Sequence, residues 1–523
     1  METTLKLLKP ALSQRLFKGD LAPIFYISVA KLVFHFVINA TGGYGIFRDE
    51  LYYLACADHL AAGYVDQPPL SVFMLKFSTL VFGDSLFAIR VIPALCGAAT
   101  IFITGLITLR LGGKWFAQIL AGLCSFTLIS IGMNSHFSMN SIDIFIWTAV
   151  GYIVLRIIQT EDKRLWPILG LVLGLGLLNK IGVLFLGCGL FIGLVITPQR
   201  KWLTTTWPYA AGIIALIIFS PYIIWNMQHD WAHLEFIKRA SEGKYSGLSP
   251  LKFIGDQFLM NNLLASVVWI AGLLTLLFHA QLSQYRWLAF LFLGPLAIFI
   301  LNGTSKGEYL APGYAILWAA GSVWWENLTA SKMGTLIVRP LLIILIFSLT
   351  VVAAPLAAPI LPVDKYIAYA KALGEEPSSS ESKELSELPQ HFADMFGWEE
   401  KARDVAIVFN KLSAEEKKRC AIFGTNYGDC GAIDYYGKAY GLPKAIGNHN
   451  NYWIWGTREY TGDLIIIMGG SLEDHIENFE SVTQEIVSDC QYCMPYEDNM
   501  KIFLGRKLKV NIKHVWPNEK HYD

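Results

Sequence analysis

The sequence predicts a polytopic α-helical membrane protein with a C-terminal soluble α/β domain. Three observations carry that expectation. Apolar runs near the roughly 17–25 residues that a membrane span needs recur from residue 21 to residue 357. The chain of 523 residues is 54% hydrophobic and only 16% charged, with a mean hydropathy of +0.42, whereas a soluble domain carries about 25% charged residues. After about Leu361 the character changes, and short β-branched runs alternate with helical stretches. Lys+Arg and Asp+Glu both number 42, a balance that argues against nucleic acid as a partner, since duplex binding needs a basic face.

Lys6, Lys9, Arg15 and Lys18 precede the first apolar run, which begins at Leu21. A cleaved signal has an apolar core of about 7–15 residues and a small-residue cleavage site. This run is longer and ends at Ala40-Thr41-Gly42-Gly43, so it reads as a retained first span with its basic flank in the cytoplasm. The length rule places about eleven spans, near 21–41, 86–109, 115–133, 144–159, 166–179, 181–197, 207–225, 261–279, 287–302, 311–328 and 335–357. Arg110, Lys114, Lys163, Arg164, Arg200, Lys201, Arg286 and Lys332 then fall in inner turns, as the positive-inside rule asks. With an odd number of spans, the C-terminal region shares the outer side with the first loop. The expected domains are 1–360, a transmembrane catalytic domain with a first outer loop at 42–85, and 361–523, an extracytoplasmic α/β domain.

The first outer loop holds the densest chemistry, in FRDELYYLACADHLAAGYVDQPPL, Phe47 to Leu70. Asp49 and Glu50 stand side by side, followed by Tyr52-Tyr53, His59, Asp66 and Gln67-Pro68-Pro69. Carboxylates beside a membrane are costly unless exposed or functional, so this reads as the active-site loop. Two helices are expected in it, Asp49 to Ala62 with Asp49 as N-cap, and Leu70 to Phe82 in the interface plane behind Pro68-Pro69. The second outer loop, Met133 to Asp143, is short and polar, with Asp143 at the lip of the next span. Lys180 occupies a predicted outer turn against the charge bias. A larger outer loop, from Asn226 to about Leu259, carries Lys238-Arg239 and Lys244-Tyr245. A further outer turn reads Asn302 to Pro312 and includes Thr304, Lys306, Glu308 and Tyr309.

Beyond the spans, Glu375 to Gln390 is rich in Ser, Glu and Pro and reads as a linker or exposed loop. Cys420 to Gly424 and Asp463 to Met468 read as strands. Gly431 to Gly441 reads as a helix stopped by Gly441-Leu442-Pro443. Of the eight cysteines, Cys56 lies in the first outer loop, and Cys96, Cys124 and Cys188 read as buried apolar residues of spans. Cys420, Cys430, Cys490 and Cys493 lie where disulfides are permitted if the domain is extracytoplasmic, with free thiols as the alternative. Only Cys490-Gln491-Tyr492-Cys493 has metal-ligand spacing, and His59 and His136 lack it. No metal ligand is assigned, no cofactor is fixed by the sequence, and a divalent metal stays open.

Several stretches together resemble a known family. They are Asp49-Glu50-Leu51-Tyr52-Tyr53, the Gly63-to-Leu70 run ending Gln67-Pro68-Pro69-Leu70, and Phe87 to Leu95. Asn140-Ser141-Ile142-Asp143, Gly176 to Lys180, and Ser305 to Pro312 add to them, as do Asn426-Tyr427-Gly428 and Asn450 to Gly456. The chain resembles the bacterial members of glycosyltransferase family 39, polyprenyl-phosphate-sugar-dependent enzymes related to protein O-mannosyltransferases and the lipid A aminoarabinose transferase. The resemblance covers most of the chain. It implies a GT-C type fold, with a helical membrane domain, interfacial helices in the first outer loop and a soluble outer domain. It also implies that Asp49 is the catalytic base and that Asp143 is a second acidic position. In the aminoarabinose transferase a lysine stands just before the proline of the first loop, where this chain has Gln67. Either other cations would then hold the lipid phosphate, or the donor would bind differently.

Sugar transfer from a polyprenyl phosphate needs a base for the acceptor hydroxyl and positive charge for the leaving phosphate. Asp49, Glu50 and Asp143 are the acidic candidates, and Lys180, Arg239 and Lys306 the cationic ones. Tyr52, Tyr53, Gln67, Glu308 and Tyr309 complete the expected substrate contacts. Each has a plain structural alternative. Asp49 and Asp143 could be helix N-caps, Glu50 a first-turn helix charge, Lys180 a snorkelling anchor, and Tyr52 and Tyr53 interfacial aromatics. The expected function is transfer of a sugar from a polyprenyl-phosphate donor to an unidentified acceptor hydroxyl, outside the bacterial inner membrane. A transporter or lipid flippase is the alternative. Transporters place ionisable groups near the midplane and show repeated halves, whereas here the groups gather at span ends on one face.

Overall fold

The computed structural model describes residues 12–243, 248–303, 305–379, 381 and 383–523. Lys6, Lys9, Lys244, Tyr245 and Thr304 lie outside the described residues. The chain is a multi-pass helical membrane protein with a small C-terminal sheet. Among the described residues, six helices are long and apolar enough to cross a membrane, or up to eight if each of two bent pairs counts as one span. The six are Ala22–Thr41, Leu86–Arg110, Met139–Thr160, Trp207–Gln228, Leu282–Asn302 and Gly334–Ala357. A helix lies at each of the eleven expected positions, but not all as straight spans. The 115–133 segment breaks into Trp115–Cys124 and Leu128–Met133. Val183–Ile196 bends by 99° into Pro198–Thr204, and Pro250–Leu259 bends by 92° into Leu263–Phe278. The second bend passes through Asn262, which adopts φ +65° and fastens the corner by donating from Nδ2 to the Ile346 carbonyl at 3.1 Å.

The charged turns gather at one end. The Gln159 side chain donates to the Arg110 carbonyl at 2.8 Å and the Tyr285 hydroxyl at 3.3 Å, and Lys201 pairs with Glu161. Apolar side chains elsewhere face outward; in Gly334–Ala357 only 6% of the most apolar window is buried, an arrangement that lipid satisfies and water does not. Within the first span Lys31 is fully buried, donates to the Ser130 hydroxyl at 3.1 Å and lies over the Phe126 ring.

Two helices fill the first outer loop, as expected, with one shift in register. Leu70–Phe82 has the anticipated bounds. The first runs Arg48–Asp58, stopping short of the expected Ala62; its N-cap is Phe47, and Asp49 therefore lies inside the first turn rather than capping it. Asp143 is likewise no N-cap, because Ser138 caps Met139–Thr160 by accepting from the Asn140 N–H. Cys188 corrects another expectation, since it is exposed on the bundle surface. Cys56, Cys96 and Cys124 are buried, and all eight thiols are free.

The C-terminal region builds one five-stranded mixed sheet in the order β2-β1-β3-β5-β4. Its strands are β1 Cys420–Gly424, β2 Ile446–Gly447, β3 Leu464–Met468, β4 Phe479–Ser488 and β5 Met500–Leu508. β1 runs parallel to β2 and β3, while β5 runs antiparallel to β3 and β4. The helix expected at Gly431 starts earlier, at Tyr427, and ends in a short 3-10 turn before Gly441. This region is not a separate bead. Leu51, Tyr52, Val72 and Ile89 share one core with Trp398, Tyr427, Ile433 and Ile466. Gly431 makes this possible, since a Cβ there would sit 2.8 Å from the Leu51 Cβ.

Candidate active site

Glu50 is fully buried and accepts four hydrogen bonds. Arg90 donates from Nε at 2.9 Å and Nη2 at 2.7 Å, the Phe137 N–H donates at 2.6 Å, and the Phe47 N–H donates at 2.9 Å. Burial alone would push its carboxyl up, but the paired Arg90 guanidinium outweighs it and holds the group below the usual carboxylate range. With every lone pair committed, Glu50 ties the first-loop helix to the second span and the second outer loop. The geometry gives it no opening toward a substrate.

Asp49, one residue earlier, is different. Its side chain is 40% exposed and receives the Tyr427 hydroxyl at 2.9 Å, with Arg48 Nε 3.8 Å away. Burial pushes the Tyr427 phenol well above its usual range, so it stays a proton donor. The Asn426-Tyr427-Gly428 stretch explains how that donor is held. The Asn426 side chain caps the helix by accepting from the Gly428 and Asp429 N–H groups at 2.8 and 3.0 Å. Gly428 leaves room for Arg48, whose Cγ a Cβ there would approach to 2.8 Å. Beneath it, buried Lys401 pairs with Asp429 at 3.1 Å and with Glu497. Tyr496, beside Glu497, accepts from Arg48 Nη1 at 2.7 Å.

Arg48 extends the network. Its Nη2 lies 3.6 Å from Glu381 and 3.8 Å from Asp394. Glu381 also lies 3.6 Å from Lys306 Nζ, which is 4.0 Å from Glu308. Lys180 donates to Asn140 Oδ1 at 2.7 Å, lies 3.9 Å from Asp143 and sits over the Tyr309 ring at 5.2 Å. The Tyr309 N–H donates to the Lys306 carbonyl at 3.1 Å. One polar junction thus joins Asp49, Lys306, Glu308, Tyr309, Lys180 and Asp143, drawn from the first loop, two later outer turns and the start of a span.

Five expected site residues fall outside it, Glu50 among them. Arg239 is solvated and pairs with Glu235 at 2.7 Å. Tyr52 is buried, its hydroxyl 3.0 Å from Asp66 and 2.9 Å from Asn451 Oδ1. Tyr53 is buried and accepts the Met139 N–H at 3.1 Å. Both rings pack in the core, so neither presents a face for a sugar. Gln67 is also buried, and its backbone carbonyl accepts the Tyr64 N–H at 3.1 Å. The sequence reading missed Arg48, Glu381, Tyr427 and Tyr496 as site residues. Arg48 was the discoverable one, being adjacent to Asp49. Glu381 sits in a stretch whose composition reads as linker.

Known proteins bear on this arrangement. The dolichyl-phosphate-mannose-protein mannosyltransferase family matches residues 66–225. The fold is that of ArnT from Cupriavidus metallidurans. The structure bound to undecaprenyl phosphate aligns over 92% of this chain and 97% of that one, at 12% identity and a TM-score of 0.59; its apo form gives 0.60. The lipid A galacturonosyltransferase RgtD of Rhizobium johnstonii is 25% identical over 220 residues, 40% of this chain and 46% of RgtD. An undecaprenyl phosphate-alpha-4-amino-4-deoxy-L-arabinose arabinosyl transferase of Pseudomonas fluorescens is 22% identical over 271 residues, 48% of this chain and 46% of that protein. The chain thus spans under half the length of these curated relatives. In part of its sequence and in its fold, the chain is thus similar to membrane glycosyltransferases of the GT-C type. The relatives it resembles, ArnT and RgtD, bear names of sugar transferases.

Proposed function

We propose that this protein moves a sugar from a polyprenyl-phosphate donor to an acceptor hydroxyl, with Asp49 as the general base of an inverting single displacement. The observation that carries the proposal is the environment of Asp49. It is a half-exposed carboxylate at a junction of outer segments, held by Tyr427 and next to cations that other carboxylates keep in place. Asp49 would take the acceptor proton as the hydroxyl oxygen attacks the anomeric carbon and the phosphate leaves with the bonding pair. Lys306, Lys180 and Arg48 are the cations placed to offset the charge on that phosphate. Asp143, beside Lys180, orients that lysine in this scheme, and Glu50 positions the helix rather than reacting. Glu308 and Tyr309 would border the donor, since they flank Lys306 and Lys180. Buried Gln67 makes no donor contact here. The reaction would face the outside of the bacterial inner membrane, where the positive-inside bias puts the first loop. The acceptor is a lipid, glycan or protein hydroxyl.

The test is glycosyl transfer in proteoliposomes from labelled polyprenyl-phosphate sugars to envelope extracts. The proposal expects label in a product that forms only with active protein and with release of polyprenyl phosphate. Translocation of the intact donor across the bilayer without release would overturn it in favour of a flippase.

A further inference from the structure

A second cluster of chemistry-bearing side chains lies against the ring of Tyr427, whose hydroxyl reaches Asp49. The His449 ring packs against the Tyr427 ring at 4.7 Å and against the His521 ring at 5.0 Å. Asp523 Oδ1 lies 2.6 Å from His449 Nε2 and 3.1 Å from His521 Nε2. One ligand atom from each of the three residues falls within 4.8 Å of the others. The backbone presets this meeting. His449 and His521 are partners in a parallel bridge, the Asn450 N–H donates to the His521 carbonyl at 2.9 Å, and the His521 N–H donates to the Asn448 carbonyl at 3.1 Å. Asn450, in the middle of the loop, adopts φ +48°, a left-handed conformation held by its surroundings.

We propose that His449, His521 and Asp523 form a binding site for a divalent transition-metal ion of the zinc type. Two imidazoles and one carboxylate are a donor set that such ions take readily, with a further position left for water. Around zinc, with bonds of about 2.0–2.2 Å, tetrahedral donors sit roughly 3.3 Å apart. The two His–Asp separations here need widen by under about 1 Å to admit the ion. His449 is only 8% exposed while His521 is 52% exposed, so the site has one wall in the protein and one toward solvent.

The alternation of the extended segment gives the site its consequence. Side chains of successive extended residues point to opposite sides. His521 and Asp523 turn toward His449. Lys520 and Tyr522 turn toward the membrane bundle, where Lys520 pairs with Glu235 at 2.7 Å and Tyr522 packs with Val65, Tyr222 and Trp225. A metal at the three ligands therefore staples this segment to the loop that carries Asn451, and through Tyr522 latches the soluble region to the bundle. The assignment stands whether or not Asp49 is the base.

The experiment uses the full-length protein in detergent, with any affinity tag removed, stripped by chelator, dialysed, and reloaded with zinc. Metal content is read by mass spectrometry, and cobalt substitution supplies a visible absorption signature. The expectation is one retained equivalent in the wild type and in a Cys490→Ser/Cys493→Ser double variant, lost in His449→Ala and in His521→Ala. Because His521 is half-exposed, its replacement should leave the metal-free protein as thermally stable as the metal-free wild type, so loss of metal there is not loss of fold. Zinc should raise the unfolding temperature of the wild type and not of His521→Ala. The assignment is overturned if the wild type retains no zinc, if His521→Ala retains as much as the wild type, or if the equivalent follows the cysteines instead.

Discussion

Asp49 and Glu50 leave the same helical turn in directions about 100° apart, and that rotation separates their roles. Adjacent carboxylates read as a pair in which one tunes the other. The structure instead sends Glu50 inward to Arg90, forty positions further along the sequence, and leaves Asp49 beside Tyr427. Nothing local in the sequence marks Arg90 as that partner, so the split was not legible there. The prediction at this scale concerns folding. Glu50→Gln leaves Arg90 buried without its counter-charge, and breaking a buried pair from one side costs about 3–5 kcal/mol. Denaturant or thermal unfolding should show that loss together with any loss of activity. A Glu50→Gln protein of wild-type stability with abolished transfer would return Glu50 to the reacting groups.

At the scale of elements, motifs were more legible than composition. The Asn426-Tyr427-Gly428 and Asn450 to Gly456 stretches stood out in the sequence, and each grips the first loop, the second through Asn451 Oδ1, which accepts the Val65 N–H at 2.8 Å. β1 and β3 were read from their apolar runs. β4 and β5 were not, because β4 is a largely exposed edge strand with no clean alternation to betray it. Glu375 to Gln390 reads as a linker or exposed loop because polar residues dominate it, yet Glu381 within it bridges Arg48 and Lys306, and just beyond it Asp394 lies buried beside Arg48.

Asp394 makes a pH prediction for the stretch that follows that segment. Burial, only partly offset by Arg48 and reinforced by nearby Asp49, Glu381 and Glu497, pushes its carboxyl up to about 7 from an ordinary 3.8. The folded protein then holds a proton that the unfolded chain has already released. The associated stability is full below about pH 4 and is lost as pH rises through about 7. Asp394→Asn cannot ionise. The stability of wild type relative to this variant should therefore fall between pH 5 and pH 8, measured by unfolding at both. A difference that stays constant, or moves the other way, would show that Arg48 keeps Asp394 charged.

On the scale of the whole molecule, the apolar lengths place a helix at each of the eleven expected positions, but the 115–133 stretch is broken into Trp115–Cys124 and Leu128–Met133, and Pro250–Leu259, half of a bent pair, falls where an outer loop is expected. Packing crosses the expected division at residue 360. The first-loop helix and the C-terminal sheet region share one core, so the site is assembled by both and belongs to neither alone. That shared core sets Tyr427 against Asp49, and the catalytic proposal rests on this contact.

The most direct measurement compares Asp49→Asn with wild type in one detergent, reading sugar transfer and polyprenyl-phosphate-sugar binding on the same preparations. Asparagine keeps the size of the side chain and an acceptor for Tyr427, so the fold should persist. A positioned base contributes about 10²–10⁴-fold, and transfer should fall by that order while donor affinity stays near wild type. Near-normal turnover in Asp49→Asn would contradict the account and move the search for the base to Asp143.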